Sequence, residues 1–253
     1  MEKAGRWAGR NTNKDALRSR IWETLDSGGM AMGPTWSHIP NFIGADQAAW
    51  HLAQTEAWKR AKVVKCNPDP PQIPVRLRAL YEGKMLYAPV PYLTKEFPYL
   101  KIDPVKLQEK GISFELAATS GGYLMYGERV DFEDVEPLDF CVVGSVGVSR
   151  TGGRTGKGAG FADLETGIFR ELGIIGPDTP MATTIHSSQL VGDDEIFMMA
   201  HDSPLDFVAT EEELIVTNNS MPRPKGVAWE FVQEDQFETI PFLKSLRDRM
   251  ETR

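Results

Sequence analysis

Residues 138–173 read LDFCVVGSVGVSRTGGRTGKGAGFADLETGIFRELG, and the pattern of this stretch changes twice along its length. Its first part, 138–148, is a continuous apolar run of the length that is typical of a buried strand. Its last part, 161–173, has helical periodicity and ends at Gly173, a residue type that commonly stops a helix. A glycine-rich loop joins the two parts. The order strand, loop, helix predicts an α/β fold around a largely parallel sheet.

The rest of the chain repeats this alternation of helical and strand patterns. Helical spacing predicts three further helices, over 14–25, 46–60 and 240–250. Strands are predicted within 180–190, on both sides of a turn within 206–217, and on both sides of a turn at 82–84 within 75–89. The fold class that follows is a three-layer α/β/α arrangement with a mostly parallel sheet.

Domain organisation depends on the segment 65–74, which contains four prolines in ten residues and predicts a rigid loop. Part of this loop, 67–74, is the one boundary that a two-domain alternative could use. The sequence contains no repeat and no long low-complexity linker. We expect residues 1–253 to form a single α/β domain.

Composition and charge narrow the function classes. The 253 residues are 41% hydrophobic and 25% charged, as in ordinary globular proteins, and no apolar run approaches the roughly 18–20 residues that span a bilayer. The first residues lack the apolar region of a secretory signal. The net charge of −8 disfavours general nucleic-acid binding. We expect a cytoplasmic protein with a small anionic ligand, no membrane partner and two buried thiols, Cys66 and Cys141.

The glycine-rich loop has the chemistry of a phosphate-binding turn. It follows a predicted buried strand and precedes a helix, whose first N–H groups favour an anion. Glycines let the backbone approach a phosphate closely, and Arg150, Arg154 and Lys157 add positive charge. A flexible surface loop with glycines at its turns is the alternative interpretation.

Two common phosphate motifs are absent from this loop. A Walker A motif requires Ser or Thr after its lysine, but Gly158 follows Lys157, and Thr151 stands where the first glycine should be. The dinucleotide motif GxGxxG also fails, because the glycines are spaced as Gly156-x-Gly158-x-Gly160. The loop therefore predicts phosphate binding without naming the nucleotide.

Two acidic residues follow the loop in the first turn of the predicted helix. Asp163 is either a favourable charge at a helix N-terminus or a Mg²⁺ ligand beside phosphate oxygens. Glu165 is a second candidate ligand, with a solvated or salt-bridged carboxylate as the alternative. His201 is more typical of a structural histidine than of a ligand.

The order of three segments along the chain is informative. They are KDALR at 14–18, GRTGKGAGFAD at 153–163 and HDSPLDFVATEE at 201–212. Together they resemble the 5-formyltetrahydrofolate cyclo-ligase family, also called methenyltetrahydrofolate synthetase. VVGSVGVS, RTGKGAGFADLE and MPRPKG resemble a divergent branch, the methenyltetrahydrofolate synthetase domain-containing proteins. Animal members of that branch can carry an RNA-recognition domain. The chain has no aromatic RNP-like strand, so we do not expect RNA binding.

The resemblance implies both a fold and a reaction. The implied fold is an α/β/α arrangement of the ribose-isomerase and CoA-transferase type. The implied reaction is ATP-dependent closure of 5-formyltetrahydrofolate to 5,10-methenyltetrahydrofolate, in which the formyl oxygen is phosphorylated, N10 attacks the activated carbon and phosphate leaves. The alternatives are a divergent folate- or nucleotide-binding homologue, with lost activity or activity on another pterin-like substrate, and a noncatalytic interaction protein.

The resemblance also implies site residues. Lys14, Arg154 and Lys157 would act in catalysis, and Asp163 and Asp202 would bind Mg²⁺. The residues implied in ATP binding are Lys14, Arg18, Arg154, Gly156, Lys157, Gly158, Gly160 and Phe161. Asp206 would orient the neighbouring strand or loop.

The folate half of the site departs from the family pattern. The loop has one aromatic residue, Phe161, where the family has two, and Asp69 is the only acid near 68–71, where a folate-contacting glutamate is expected. The aromatic rings of Trp36, His38 and Phe42 could stack on a pterin. They could equally belong to a packed connection.

Overall fold

Two β-sheets organise the protein, which a computed structural model describes over residues 4–90, 93 and 98–251. The strands are β1 Val63–Cys66, β2 Met85–Pro89, β3 Tyr99–Ile102, β4 Glu128–Val130, β5 Phe140–Val142, β6 Gly147–Ser149, β7 Arg154–Thr155, β8 Met181–Thr184, β9 Leu190–Val191, β10 Phe207–Ala209 and β11 Leu214–Val216. The larger sheet has the order β11-β10-β8-β5-β1-β2-β3-β4, and the smaller has the order β7-β6-β9. Pairing is parallel from β10 to β2, and β3, β4 and β11 are antiparallel. The centre of the large sheet is parallel, as predicted.

Helices cover both faces of the large sheet. They are α1 Thr12–Ser27, α2 Ala45–Ala53, α3 Glu56–Arg60, α4 Ile73–Tyr81, α5 Pro104–Glu109, α6 Phe114–Ala117, α7 Ser120–Tyr126, α8 Phe161–Glu171, α9 Glu234–Thr239 and α10 Pro241–Glu251. One buried cluster contains Leu52 of α2 and Ala79 of α4, and another contains Ile168 of α8 and Leu243 of α10. These two clusters make the three layers of the fold.

Strand alternation assigns the central residues to the two clusters. Val64 and Cys66 of β1 belong to the cluster of α2 and α4, whereas Tyr87 of β2 and Cys141 of β5 belong to the cluster of α8. Lys65 is in register with Tyr87 and Cys141 and therefore faces α8. Burial raises the pKa of Cys66 to about 11 and that of Cys141 to about 12, so both thiols stay protonated at neutral pH. The expectation of buried thiols is confirmed.

Two predictions in the first third of the chain are wrong in detail. The segment 75–89 is a helix, α4, followed by one strand, β2, rather than two strands. Val75 and Ala79 are one helical turn apart and both buried, and Pro74 occupies the first turn, where proline is tolerated. The predicted helix 46–60 is two helices, because the Thr55 side chain accepts a hydrogen bond from Trp58 N–H and caps α3.

The apolar run 138–148 forms two strands in different sheets, β5 and β6, not one strand. The chain changes direction near Gly144, where a Cβ atom would lie 2.8 Å from Ile39 and 2.9 Å from Asp69. The apolar pattern of the run does not predict that Ile39 and Asp69 approach the backbone at Gly144. Similarly, the segment 180–190 holds β8, a 3₁₀ turn at Ser187–Gln189 and the start of β9.

Other predicted elements are confirmed. The helices α1, α8 and α10 occupy the predicted segments, and β10 and β11 form the predicted antiparallel pair. Strands on both sides of the proline segment share the large sheet, although the number of domains stays a prediction. Within the described part of the chain, no helix combines the length and apolarity that a membrane crossing needs.

Candidate functional site

A cavity of about 700 Å³ opens at the carboxyl edge of the large sheet. Asn67 follows β1, Val90 follows β2 and Gly144 follows β5, and all three line it. The glycine-rich loop and the start of α8 form a second wall, and the start of α1 forms a third. Parallel α/β sheets bind ligands at this edge, because loops from several strands and the N-termini of helices converge there.

Helix α1 brings a lysine into the cavity from one side. Its apolar residues Leu17, Ile21 and Leu25 are buried, and this face anchors the helix. Lys14 Nζ lies 2.5 Å from Asp202 Oδ2, and both side chains are almost completely buried. The same carboxylate oxygen accepts a hydrogen bond from a backbone N–H, at 2.7 Å. The ammonium therefore stands at the cavity wall with further donor capacity.

A second buried ion pair lies at the N-terminus of α8. Arg154 Nη2 donates to Asp163 Oδ2 at 2.6 Å, and Arg154 Nη1 donates to the Gly144 carbonyl at 2.9 Å. The third guanidinium nitrogen, Arg154 Nε, is buried without a hydrogen-bond partner among the described residues. Arg154 lines the cavity, and its Nη groups keep N–H donors beyond these two contacts, so the guanidinium places positive charge beside any bound anion.

The ionisation of Asp163 is determined by competing influences. Burial alone would raise its pKa, but Arg154, the Ser203 N–H at 3.0 Å and Lys14 outweigh burial. The net effect lowers the pKa of Asp163 below its ordinary value. The carboxylate is therefore charged at neutral pH and holds the Arg154 guanidinium in place.

The glycine loop is held by contacts with helix α1 and with the loop after β1. Arg18 Nε donates to the Gly156 carbonyl at 2.7 Å, and Lys157 Nζ lies 3.0 Å from Asp69 Oδ1. Burial lowers the pKa of Arg18. Gly158 has a φ of 106° and Gly160, which begins α8, has a φ of 75°, values that favour glycine. These glycines shape the loop around the cavity.

All ten residues implied as site residues line this one cavity: Lys14, Arg18, Arg154, Gly156, Lys157, Gly158, Gly160, Phe161, Asp163 and Asp202. They come from α1, from β7 and the glycine-rich loop that follows it, from the first turn of α8 and from the loop before β10. The structure thus brings together residues that are up to 188 positions apart in sequence. Their individual roles stay predictions.

The two aspartates meet part of what a magnesium site needs. Both face the cavity, and Asp202 Oδ1 accepts no hydrogen bond from the described residues, its nearest partner being His201 Nε2 at 3.7 Å. No group of three or more His, Cys, Asp or Glu side chains in the described residues could hold a metal ion. These donors therefore fit Mg²⁺ only with phosphate oxygens as further ligands, a pattern that is common for this ion.

Several sequence expectations need correction at the site. Arg150 does not line the cavity but pairs with Glu213 on the surface. Trp36, His38 and Phe42 do not line it either, and Phe42 is fully buried, which favours a packed connection over a pterin platform. His201 lines the cavity, and the expectation that its role is structural stays a prediction.

Sequence analysis missed the partner of Glu165, a cavity-lining residue that belongs to a buried charge pair. Lys65 of β1 contacts Glu165 of α8 and lies 2.5 Å from Asn67 Oδ1. Burial raises the pKa of Glu165 and opposes its ionisation, while Lys65 acts in the other direction. Of the two alternatives for Glu165, the structure favours a salt-bridged carboxylate. A charged lysine within an otherwise apolar strand was the signal in the sequence.

These features define a class: an α/β protein with a cation-rich cavity at the carboxyl edge of its sheet, suited to a small anionic ligand. A family model described as the 5-formyltetrahydrofolate cyclo-ligase family matches residues 10–211. The chain belongs to this family, which confirms the family predicted from the three sequence segments.

Curated relatives match most of the chain. The methenyltetrahydrofolate synthase domain-containing protein of Bos taurus is 36% identical over 241 residues, which cover 94% of this chain and 63% of the relative. The protein of the same name from Mus musculus is 37% identical over 239 residues, covering 94% and 64%. The chain thus spans less than two thirds of these relatives' length.

A solved structure supports the fold. The NMR structure of Aquifex aeolicus 5,10-methenyltetrahydrofolate synthetase has a TM-score of 0.51 to this chain and 17% sequence identity. The match covers 82% of this chain and 94% of the other. This likeness confirms the predicted fold class.

Proposed function

We propose that the protein uses ATP and Mg²⁺ to convert 5-formyltetrahydrofolate to 5,10-methenyltetrahydrofolate. Family membership supports the reaction class. The observation that carries the proposal for this chain is that Lys14, Arg154 and Lys157 line one cavity together with the glycine-rich loop. A cavity of about 700 Å³ falls within the usual range for small-molecule sites.

Phosphoryl transfer needs cations beside the oxygens on which negative charge develops. Arg154, Lys157 and Lys14 would hold the phosphates of ATP, and the backbone of 156–160 would approach them closely. The proposed acceptor is the formyl oxygen, which attacks the γ-phosphorus as ADP leaves. N10 then attacks the activated formyl carbon and releases its proton, and inorganic phosphate carries away the former formyl oxygen as the ring closes.

Asp163 and Asp202 would hold Mg²⁺ together with phosphate oxygens of the nucleotide. The ion would supply positive charge next to the transferred phosphoryl group. Within the chain itself, Asp163 positions Arg154, and Asp202 positions Lys14. Removal of either aspartate should therefore displace a cation as well as a metal ligand.

The direct test is an assay with 5-formyltetrahydrofolate, MgATP and protein, followed by the absorbance of the methenyl product. We expect product only when ATP is present. Lys157→Ala should lower the rate by about 10- to 1000-fold, because a preorganised charge is lost. Arg150→Ala is the matched control, since this basic residue lies in the same segment but outside the cavity, and its rate should equal that of the wild type.

A second candidate function is folate or nucleotide binding without this turnover. Asp69 favours it, because the only acid near the expected folate contact is already paired with Lys157. Stabilisation by ATP in a thermal unfolding experiment, with no methenyl product, would support this second function. Absence of both signals would contradict both proposals and leave the noncatalytic alternative.

A further inference from the structure

The C-terminal segment 226–236 forms one wall of the cavity. Val227, Phe231 and Gln236 all line it. The family model ends at residue 211, so this wall lies outside the matched region. The chain therefore builds part of its cavity from residues that the family pattern does not describe.

The segment is anchored directly to the glycine loop. Gln236 Nε2 donates to the Ala159 carbonyl at 3.1 Å, and Arg10 Nη1 donates to the same carbonyl at 3.4 Å. Arg10 also pairs with Asp235, and Val227 N–H donates to Glu171 Oε1 at 3.1 Å. These contacts hold the wall at a fixed place above the loop.

An aromatic ring of this wall, Phe231, meets the ring of His201 from the loop before β10. The rings of Phe231 and His201 have centroids 4.6 Å apart and planes inclined by 46°. Phe231 lines the cavity, and this large apolar side chain is 37% exposed. The partly exposed face of Phe231 therefore suits a flat heterocycle.

The Phe231–His201 pair lies next to the charged residues of the cavity. His201 Nε2 lies 3.7 Å from Asp202 Oδ1, and Asp202 binds Lys14. A ligand whose anionic end is held by the cations therefore has an aromatic surface within reach. A purine nucleotide and a reduced folate both combine a flat heterocycle with anionic groups.

We propose that Phe231 is a specificity-determining residue, against which the heterocycle of the bound nucleotide or folate stacks, with His201 packed against the Phe231 ring as its support. This inference rests on the proposed function, because it requires a ligand of that class in this cavity. Stacking on one aromatic side chain should change affinity by roughly 5- to 100-fold.

The test compares ligands with and without a heterocycle by isothermal titration calorimetry. Phe231→Ala should weaken the binding of ATP, of 5-formyltetrahydrofolate, or of both, by at least about fivefold. Binding of inorganic tripolyphosphate should stay within about twofold of the wild type, because it has no ring to stack. The ligand whose binding is weakened is the one whose heterocycle stacks on Phe231. Phe231→Trp should restore the affinity for that ligand.

Trp50→Ala provides the matched control. Trp50 also pairs with a histidine, His51, with ring centroids 5.2 Å apart, and is 45% exposed, but it does not line the cavity. Unchanged binding of both heterocyclic ligands to Phe231→Ala would overturn this inference alone, as would equal weakening of tripolyphosphate. A wild-type protein that binds neither ligand would overturn the proposed function together with it.

Discussion

Asp163 combines a structural role with the proposed metal-binding role. Its two oxygens accept hydrogen bonds from Arg154 and from Ser203 N–H. An isosteric asparagine would remove the charge that Arg154 faces in a buried setting. The residue is thus a place where loss of ligand binding and loss of stability should occur together.

We predict that Asp163→Asn lowers the free energy of unfolding by about 1–3 kcal/mol at pH 7 and abolishes the magnesium dependence of ATP binding. Because the folded-state pKa of Asp163 is lowered, its stabilising contribution is present above its unfolded pKa of roughly 3.9. This contribution is lost as the pH falls through the folded-state value. Urea unfolding from pH 7 to pH 3 should show the difference from the wild type shrinking below about pH 4.

The control for this prediction is Asp178→Asn, which changes an exposed aspartate. It should leave both stability and ATP binding within error of the wild type. If Asp163→Asn retains full magnesium-dependent binding, the metal role of Asp163 is wrong. If the stability difference instead grows on acidification, the carboxylate is not ionised as described.

Lys65 shows at the residue scale what strand geometry imposes. Its neighbours Val64 and Cys66 face one core cluster, so Lys65 must face the other, where Glu165 on α8 is its counter-ion. A buried charge needs such a partner, because an isolated ammonium in the interior is costly. The sequence shows the lysine but not the acid, which lies 100 residues further along the chain.

At the scale of elements, the loop before α8 depends on glycine conformation. Gly158 has a φ of 106°, and a Cβ atom there would lie 3.2 Å from Trp7 Cβ and 3.4 Å from Arg18 Cζ. A side chain would therefore strain the backbone and press on Arg18, which holds the loop through the Gly156 carbonyl. A change in the loop should therefore also displace Arg18 of α1.

We predict that Gly158→Ala lowers ATP affinity by at least about tenfold and stability by about 1–3 kcal/mol. Calorimetric titration and urea unfolding measure the two effects. Gly173→Ala is the matched control, because Gly173 also has a positive φ, 71°, but no atom lies within 4 Å of the position that a Cβ atom would take there. It should cost about 1–2 kcal/mol without changing ATP affinity. Equal loss of affinity in both variants would contradict the proposed role of the loop.

At the scale of the whole molecule, the C-terminal helix belongs to the main core. Ile240, Leu243 and Leu246 are buried in the cluster that also contains Ile168 of α8. The wall 226–236 is therefore held between the glycine loop and a firmly packed helix. Packing of α10 in the core should therefore help to keep the wall 226–236 at the cavity.

We predict that Leu243→Ala lowers the free energy of unfolding by about 2–5 kcal/mol, because it leaves a cavity at a fully buried site. Its exposed neighbour provides the control, and Lys244→Ala should change stability by less than about 0.5 kcal/mol. Chemical denaturation monitored by tryptophan fluorescence measures both. Equal, small effects would show that α10 is only loosely attached.

Local patterns were sufficient for elements whose signal lies within one segment. Helix α8 follows from its periodicity and from Gly173, and the β10–β11 hairpin follows from two apolar runs around a turn. The residues that the family resemblance implied for the site do line one cavity. The resemblance grouped them, since no single segment contains Lys14, Arg154 and Asp202 together.

Long-range contacts decided the rest. The run 138–148 divides between two sheets around Gly144, where Ile39 and Asp69 leave no room for a side chain. Helix α4 forms because Val75 and Ala79 meet the core on one face. The wall that carries Phe231 depends on hydrogen bonds to Ala159, 77 positions away from Gln236. Periodicity records which side of a segment is apolar, but only packing between distant segments determines what that side meets.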